Sequence, residues 1–175
     1  MSKIKYAFPP SALLFIVFLI AFRVGYSQSL YQDFDYKMPI DSAKNILKSK
    51  TKRLKNIAFG KGTLYAFRKK SLVERDNELI SITIWSKKNL SLKEAESYLL
   101  KSRAHFESSE YKVVYAQENW SKPLLVKKNL PCIRFVDPEK TVLVEVDPRG
   151  QGGIYNIFVT FYNYDWFLRK ARGIE

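Results

Sequence analysis

Cysteine and histidine are nearly absent, because the chain of 175 residues contains one of each. The single cysteine, Cys132, cannot form an internal disulfide, and we expect it to be a small buried residue because it lies in the apolar stretch 130–136. With His105 as the sole histidine, metal sites built from several histidines are excluded, as are most Ser-His and Cys-His nucleophilic systems. The sequence therefore predicts a protein that is not an enzyme, with no catalytic, metal-binding or cofactor-binding residues.

Acidic residues are few relative to basic ones, with 17 Asp and Glu against 30 Lys and Arg, for a formal net charge of +13. The imbalance is greatest between Lys44 and Arg75, where eleven basic residues accompany one acidic residue, Glu74. The alternative to a binding function for this charge is a solvated helix face that only keeps the protein soluble. The candidate contacts with an anionic surface lie on one predicted helix: Lys44, Lys48, Lys52, Arg53 and Lys55.

The apolar run 12–22 near the N-terminus has eleven residues, which is about half the length that a helix needs to cross a hydrocarbon core about 30 Å thick. Lys3 and Lys5 precede this run and small or polar residues follow it at 25–29, which is the order of a secretory signal peptide. The sequence thus predicts a signal peptide at 1–27, a single domain at 28–175, and export to the periplasm or the extracellular space. The alternative is a membrane-anchored protein that keeps this segment.

Two helices are predicted from the spacing of apolar residues. The first spans about 41–55, where Pro39 and Asp41 supply start signals. The second spans about 92–106 and begins with a capping box, because Ser91 is followed three residues later by Glu94. Strands are predicted from β-branched and aromatic residues, and the first two of them are expected to be joined around Arg75 to Glu78. The predicted strands are 63–69, 79–86, 111–117, 131–136, 141–147 and 154–162.

This order of elements predicts an α+β fold with two helices packed on one face of an antiparallel sheet. Each half begins with a helix and continues through strands, so the chain also fits two degenerate helix-strand-strand repeats. A further strand at 30–36 would instead give the ferredoxin-like order β-α-β-β-α-β, with the C-terminal strands as an appendage.

Glycine is concentrated in the segment Gly150-Gln151-Gly152-Gly153, which superficially resembles a phosphate-binding loop. Such loops precede a helix, and here the next residues predict a strand, so a hairpin connection is favoured, with a turn at 147–150. Two carboxylates, Glu145 and Asp147, lie on one side of the preceding strand, a spacing that also fits a shared proton or a cation site. A solvated strand edge is the favoured interpretation, because valines fill the opposite side.

The segments "MPIDSAKNIL" and "LSLKEAESYLL", followed by strands and by an "EVD…GG-I" hairpin at 145–154, resemble a known class of exported bacterial proteins. They are similar to the helix-plus-antiparallel-sheet repeats of the beta-lactamase-inhibitor-protein type and of the small outer-membrane assembly lipoprotein type, over about residues 34–162. The resemblance implies the fold class alone. The lipid-bearing cysteine of one family and the paired cysteines of the other are missing, so no partner is transferred to any residue.

The C-terminal segment is rich in aromatic residues beside cations, a combination found at interfaces. Tyr164, Trp166 and Phe167 are the candidate partner contacts, whereas Ile154, Ile157, Val159 and Phe161 are expected to be core. The sequence therefore predicts an exported, non-enzymatic binding protein of the cell envelope that contacts a protein partner or an anionic surface, phospholipid or polysaccharide. Export disfavours nucleic acid, which would be the first candidate for a cytosolic chain of this charge. A rival of another class is a hydrolase that uses carboxylates from distant strands.

Overall fold

A computed structural model describes residues 28–68, 70–116 and 133–174 of the protein. The predicted signal peptide and Cys132 lie outside the described residues. The strands are β1 (Ser29–Tyr31), β2 (Phe34–Asp35), β3 (Tyr65–Ala66), β4 (Leu72–Arg75), β5 (Glu78–Ser86), β6 (Lys112–Ala116), β7 (Ile133–Val136), β8 (Val142–Gln151) and β9 (Ile154–Asn163). The helices are α1 (Ile40–Ser49), α2 (Thr51–Leu54), α3 (Leu92–Ser108) and α4 (Tyr164–Ala171).

Seven of these strands form one antiparallel sheet in the order β3-β5-β9-β8-β7-β6, with β4 also paired to β5. Strands β3 and β4 lie end to end along the same edge of β5, because β3 pairs with its last residues and β4 with its first. Strands β1 and β2 pair with each other in a separate hairpin. The ferredoxin-like order is therefore not formed, since the segment 30–36 does not join the main sheet.

The side chains of β9 alternate between the two faces of the sheet, as the strand period of two requires. Ile157, Val159 and Phe161 are buried on one face, where the ring of Phe106 on α3 lies 6.3 Å from that of Phe161. The indole of Trp166 on α4 instead stacks at 6.0 Å on Tyr162, which points to the other face. The α+β class and the antiparallel sheet are confirmed, but the sheet is larger than predicted and helices lie on both of its faces.

The first predicted helix is divided at Lys50 into α1 and α2. The hydroxyl of Thr51 donates to the carbonyls of Leu47 at 3.0 Å and Lys48 at 2.8 Å, and such back-bonding competes with the helical pattern. The second predicted helix is confirmed as α3. Its capping box is complete, because the Ser91 hydroxyl accepts from Glu94 N and the Glu94 carboxylate accepts from Ser91 N at 2.8 Å.

Three details of the predicted strands are wrong. The hairpin around Asp76 and Asn77, both at positive φ, joins β5 to β4 and not to the segment 63–69. The predicted hairpin connection is confirmed, but its turn is not at 147–150, which belongs to β8; the chain reverses at Gly152 and Gly153, whose φ values of 62° and 82° suit glycine. Beside that turn, Ile154 is 55% exposed and is not a core residue.

Candidate functional site

The five basic residues predicted to contact an anionic surface lie on α1, on α2 and just after α2. Two of them are already engaged with neighbouring groups. Lys44 Nζ lies 3.2 Å from a carboxylate oxygen of Glu74 and 3.9 Å from Asp41. Arg53 donates to Gln32 Oε1 at 2.7 Å and lies 3.8 Å from Asp33. The charges of these two side chains are therefore partly neutralised within the protein.

The other three, Lys48, Lys52 and Lys55, are exposed and form no ion pair with any residue that the structure describes. Lys52 and Lys55, three residues apart, are neighbours at the end of α2, and Lys48 on α1 lines the same groove as Lys55. The opposite side of the α1–α2 segment is buried through Ala43 and Leu54. The amphipathic pattern that packs the segment thus also presents three free ammonium groups together.

A groove of about 300 Å³ lies beside these lysines, and we call it the basic groove. Leu54 and Phe67, which are 1% and 5% exposed, form its apolar floor. The chain after β3 is held against α2 at this point by a hydrogen bond from Phe67 N to the Leu54 carbonyl at 2.9 Å. The lining residues are Leu47, Lys48, Thr51, Leu54, Lys55, Phe67 and Arg68.

Arg68 also lines the basic groove, and it is not among the contacts predicted from the sequence. Its guanidinium lies 4.7 Å from the ring of Trp85 and donates to the Ser86 carbonyl at 3.1 Å. These contacts fix the side chain over the edge of the sheet without neutralising its charge. No local pattern links Arg68 to the helix face, because the two segments meet only through the tertiary fold.

The paired carboxylates Glu145 and Asp147 do not converge on a common site. Arg134 Nε donates to Glu145 at 2.7 Å, and Arg149 Nε donates to Asp147 at 2.8 Å. Because β8 lies between β9 and β7, the expectation of a solvated strand edge is wrong, and Asp147 is only 1% exposed. Burial raises the pKa of Asp147 to about 6, and the neighbouring Arg149 opposes that rise.

The C-terminal aromatic candidates are placed differently from one another. Trp166 is 6% exposed and stacks on Tyr162. The ammonium group of Lys170 lies 4.8 Å from the ring of Trp166. Phe167 is half-buried, with the Arg134 guanidinium 5.2 Å from its ring. A partner can reach Tyr164 and Phe167 at the surface of α4, whereas Trp166 is accessible only if α4 moves.

Groups of three or more His, Cys, Asp or Glu side chains placed to hold a metal ion are absent from residues 28–68, 70–116 and 133–174. Within the same ranges, the helices are too short or too polar to cross a membrane.

Comparison with protein-family models, with curated protein sequences and with solved structures found no match to this chain. The resemblance to the exported helix-plus-sheet families therefore stays a prediction from the sequence.

Proposed function

We propose that the protein is an exported, non-enzymatic binding protein of the cell envelope, and that the basic groove and its lysines attach it to anionic phospholipid. The observation that carries this proposal is the placement of Lys48, Lys52 and Lys55, free of ion pairs with described residues, beside an apolar groove that also carries Arg68. A polysaccharide would satisfy the cations and leave the groove unfilled. A phospholipid offers phosphate to the cations and hydrocarbon to the apolar lining of the groove, in which Leu47 is half-buried.

The expected strength of this attachment follows from the number of cations. Each Lys or Arg near an anionic membrane surface contributes about 1 kcal/mol, so Lys48, Lys52 and Lys55 contribute about 3 kcal/mol, which is weaker than millimolar affinity. Attachment at useful strength thus needs apolar contact in the groove as well as charge. We infer a reversible, salt-sensitive association with the membrane surface.

The test is a vesicle co-sedimentation assay on the protein purified in the form that accumulates in cells. Binding to phosphatidylcholine vesicles containing phosphatidylglycerol is compared at about 50 mM and about 500 mM salt, since screening weakens surface electrostatics. The triple variant Lys48→Ser, Lys52→Ser, Lys55→Ser is expected to lose about tenfold or more in affinity at low salt.

The matched control removes the same charge elsewhere, through the exposed lysines Lys93, Lys101 and Lys112, each changed to Ser. We expect this control to retain affinity within about threefold. Equal losses in both variants would show that net charge alone attracts the protein to the vesicles. Stronger retention on a sulfated polysaccharide than on vesicles would favour the polysaccharide instead.

Export and cleavage belong to the proposal and have their own measurement. The mass of the accumulated protein is expected to lack residues 1–27, and a full-length mass in the membrane fraction would establish the anchored alternative.

We also propose that α1 to β5 and α3 to β9 are degenerate repeats. The hydrolase that uses carboxylates from distant strands stays the rival proposal; the pair on one strand, Glu145 and Asp147, gives it no support, because each faces an arginine.

A further inference from the structure

A second and larger opening, the acidic cleft, lies on the face of the sheet that α3 covers. Its volume is about 790 Å³, within the range of small-molecule sites. It runs from β1, through the last turn of α3, to the β7–β8 turn, and it shares no lining residue with the basic groove. The cleft is therefore a separate site with its own chemistry.

Aromatic rings form the floor of the acidic cleft. The ring of Phe106 lies 5.2 Å from that of Phe59 and 5.4 Å from that of Tyr111. The ring of Tyr31 lies 4.8 Å from that of Phe161. Such a floor suits a ligand with an apolar or aromatic body, and π-faces also attract cations.

The charge of the cleft is opposite to that of the protein. In a chain of net charge +13, no Lys or Arg lines it among the described residues; its acidic groups are Asp137 and Glu139, and burial lowers the pKa of His105, which also lines it. Their influence is visible at Tyr111, whose phenol pKa is raised by burial first and then by these two carboxylates.

The polar rim completes the lining with uncharged groups. Asp137 is fixed in place by hydrogen bonds from Thr141 N at 2.6 Å and Val142 N at 2.7 Å. Gln28 Nε2 donates to the Thr141 carbonyl at 3.1 Å and closes one wall. At another wall, Arg53 donates to Gln32 at 2.7 Å and lies 3.8 Å from Asp33, whereas Asp137 and Glu139 belong to the β7–β8 turn.

We propose that the acidic cleft binds an organic ammonium ion with an apolar or aromatic body. The body lies over Phe59 and Phe106, and the ammonium group lies at the end formed by Tyr111 and Glu139. A carboxylate ligand is disfavoured there by two like charges, and a neutral ligand gains the apolar contacts without the electrostatic ones.

The test measures three probes of nearly equal size by NMR titration: phenethylammonium, 2-phenylethanol and 3-phenylpropionate. At low salt, the ammonium is expected to bind about fivefold more tightly than the alcohol, and the carboxylate to bind most weakly. Carboxylate binding as strong as ammonium binding, or no measurable binding of any probe, overturns the proposal.

Two variants locate the binding. Glu139→Gln is expected to reduce the preference for ammonium over alcohol about threefold, whereas Glu96→Gln, an exposed change outside the cleft, leaves it unaltered. Ser109→Trp adds a bulky side chain at an exposed position of the rim and is expected to weaken all three probes. If Glu139→Gln leaves the preference unchanged, or Ser109→Trp leaves binding unchanged, the probes bind elsewhere and the inference fails. These outcomes do not depend on vesicle binding, so they test the acidic cleft independently of the proposed membrane attachment.

Discussion

Asp147 combines a buried position with an ionisable group. Its side chain is 2% exposed, and Oδ1 has no hydrogen-bond partner among the described residues. Arg149, which is half-exposed, compensates the charge by donating from Nε to Oδ2 of Asp147 at 2.8 Å. The guanidinium of Arg149 also stacks 4.9 Å from the ring of Phe158. Compensation is incomplete, and the pKa of Asp147 rises to about 6.

This shift predicts a pH dependence of stability. Between its ordinary pKa near 4 and the folded value of about 6, Asp147 holds a proton in the native state that the unfolded chain has lost. Its contribution to stability is thus fully present below pH 4 and is lost as the pH rises through 6. From pH 4 to pH 7, the free energy of unfolding of the natural protein should fall by about 2 to 3 kcal/mol more than that of Asp147→Asn.

Urea denaturation at the two pH values measures this difference. Asp165→Asn, at a carboxylate whose side chain is 74% exposed, serves as the control and should follow the natural protein. Parallel pH profiles for Asp147→Asn and the natural protein would contradict the assigned burial of the charge.

The capping box of α3 allows a prediction for a whole element. Ser91→Ala removes the hydroxyl that accepts from Glu94 N, and loss of such a cap destabilises a protein by about 1 kcal/mol. Thermal unfolding measures the loss. Ser42→Ala, at an exposed position in the first turn of α1, makes no cap and should leave the melting temperature unchanged or slightly raised. Equal effects of the two changes would mean that the box does not stabilise α3.

The helix α3 could be predicted from the sequence because its signals are local, whereas the extent of β8 depends on its neighbouring strands and could not be predicted. The cap and the apolar spacing of α3 are contained within the helix itself. Pro148 indicates a turn, because proline has no N–H to donate within a sheet. Among the described residues, however, β8 pairs with β7 only as far as Val146, so no second strand requires an N–H at position 148. Pairing with β9 continues to Gln151 and keeps the chain extended.

The candidate site shows the same division between local and non-local information. Lys48, Lys52 and Lys55 are visible in the sequence because a helix period alone places them together. Arg68 and Phe67 join them only because the chain after β3 packs against Leu54. The acidic cleft was not predicted at all, since β1, α3 and the β7–β8 turn are far apart in sequence.

At the scale of the whole molecule, charge is sorted between two openings. The basic groove gathers cations without paired acids, and the acidic cleft has acids without lining cations, among the residues described. The core joins them, because the ring of Tyr31 in the cleft lies 6.2 Å from that of Phe67 in the groove. One continuous buried cluster thus supports both surfaces.

That cluster predicts cooperative unfolding of the described domain. Phe34 is fully buried in the N-terminal hairpin and stacks at 5.1 Å on Phe67, so Phe34→Ala should destabilise the protein by about 3 to 5 kcal/mol. Trp85 and Trp166 lie on the opposite face of the sheet, and in a Trp120→Phe background their fluorescence transition should shift with the far-UV circular dichroism transition. Leu100→Ala, at a residue that is 56% exposed, is the control and should shift neither. A dichroism transition that moves while the fluorescence transition stays would show that the hairpin and the sheet unfold as separate units.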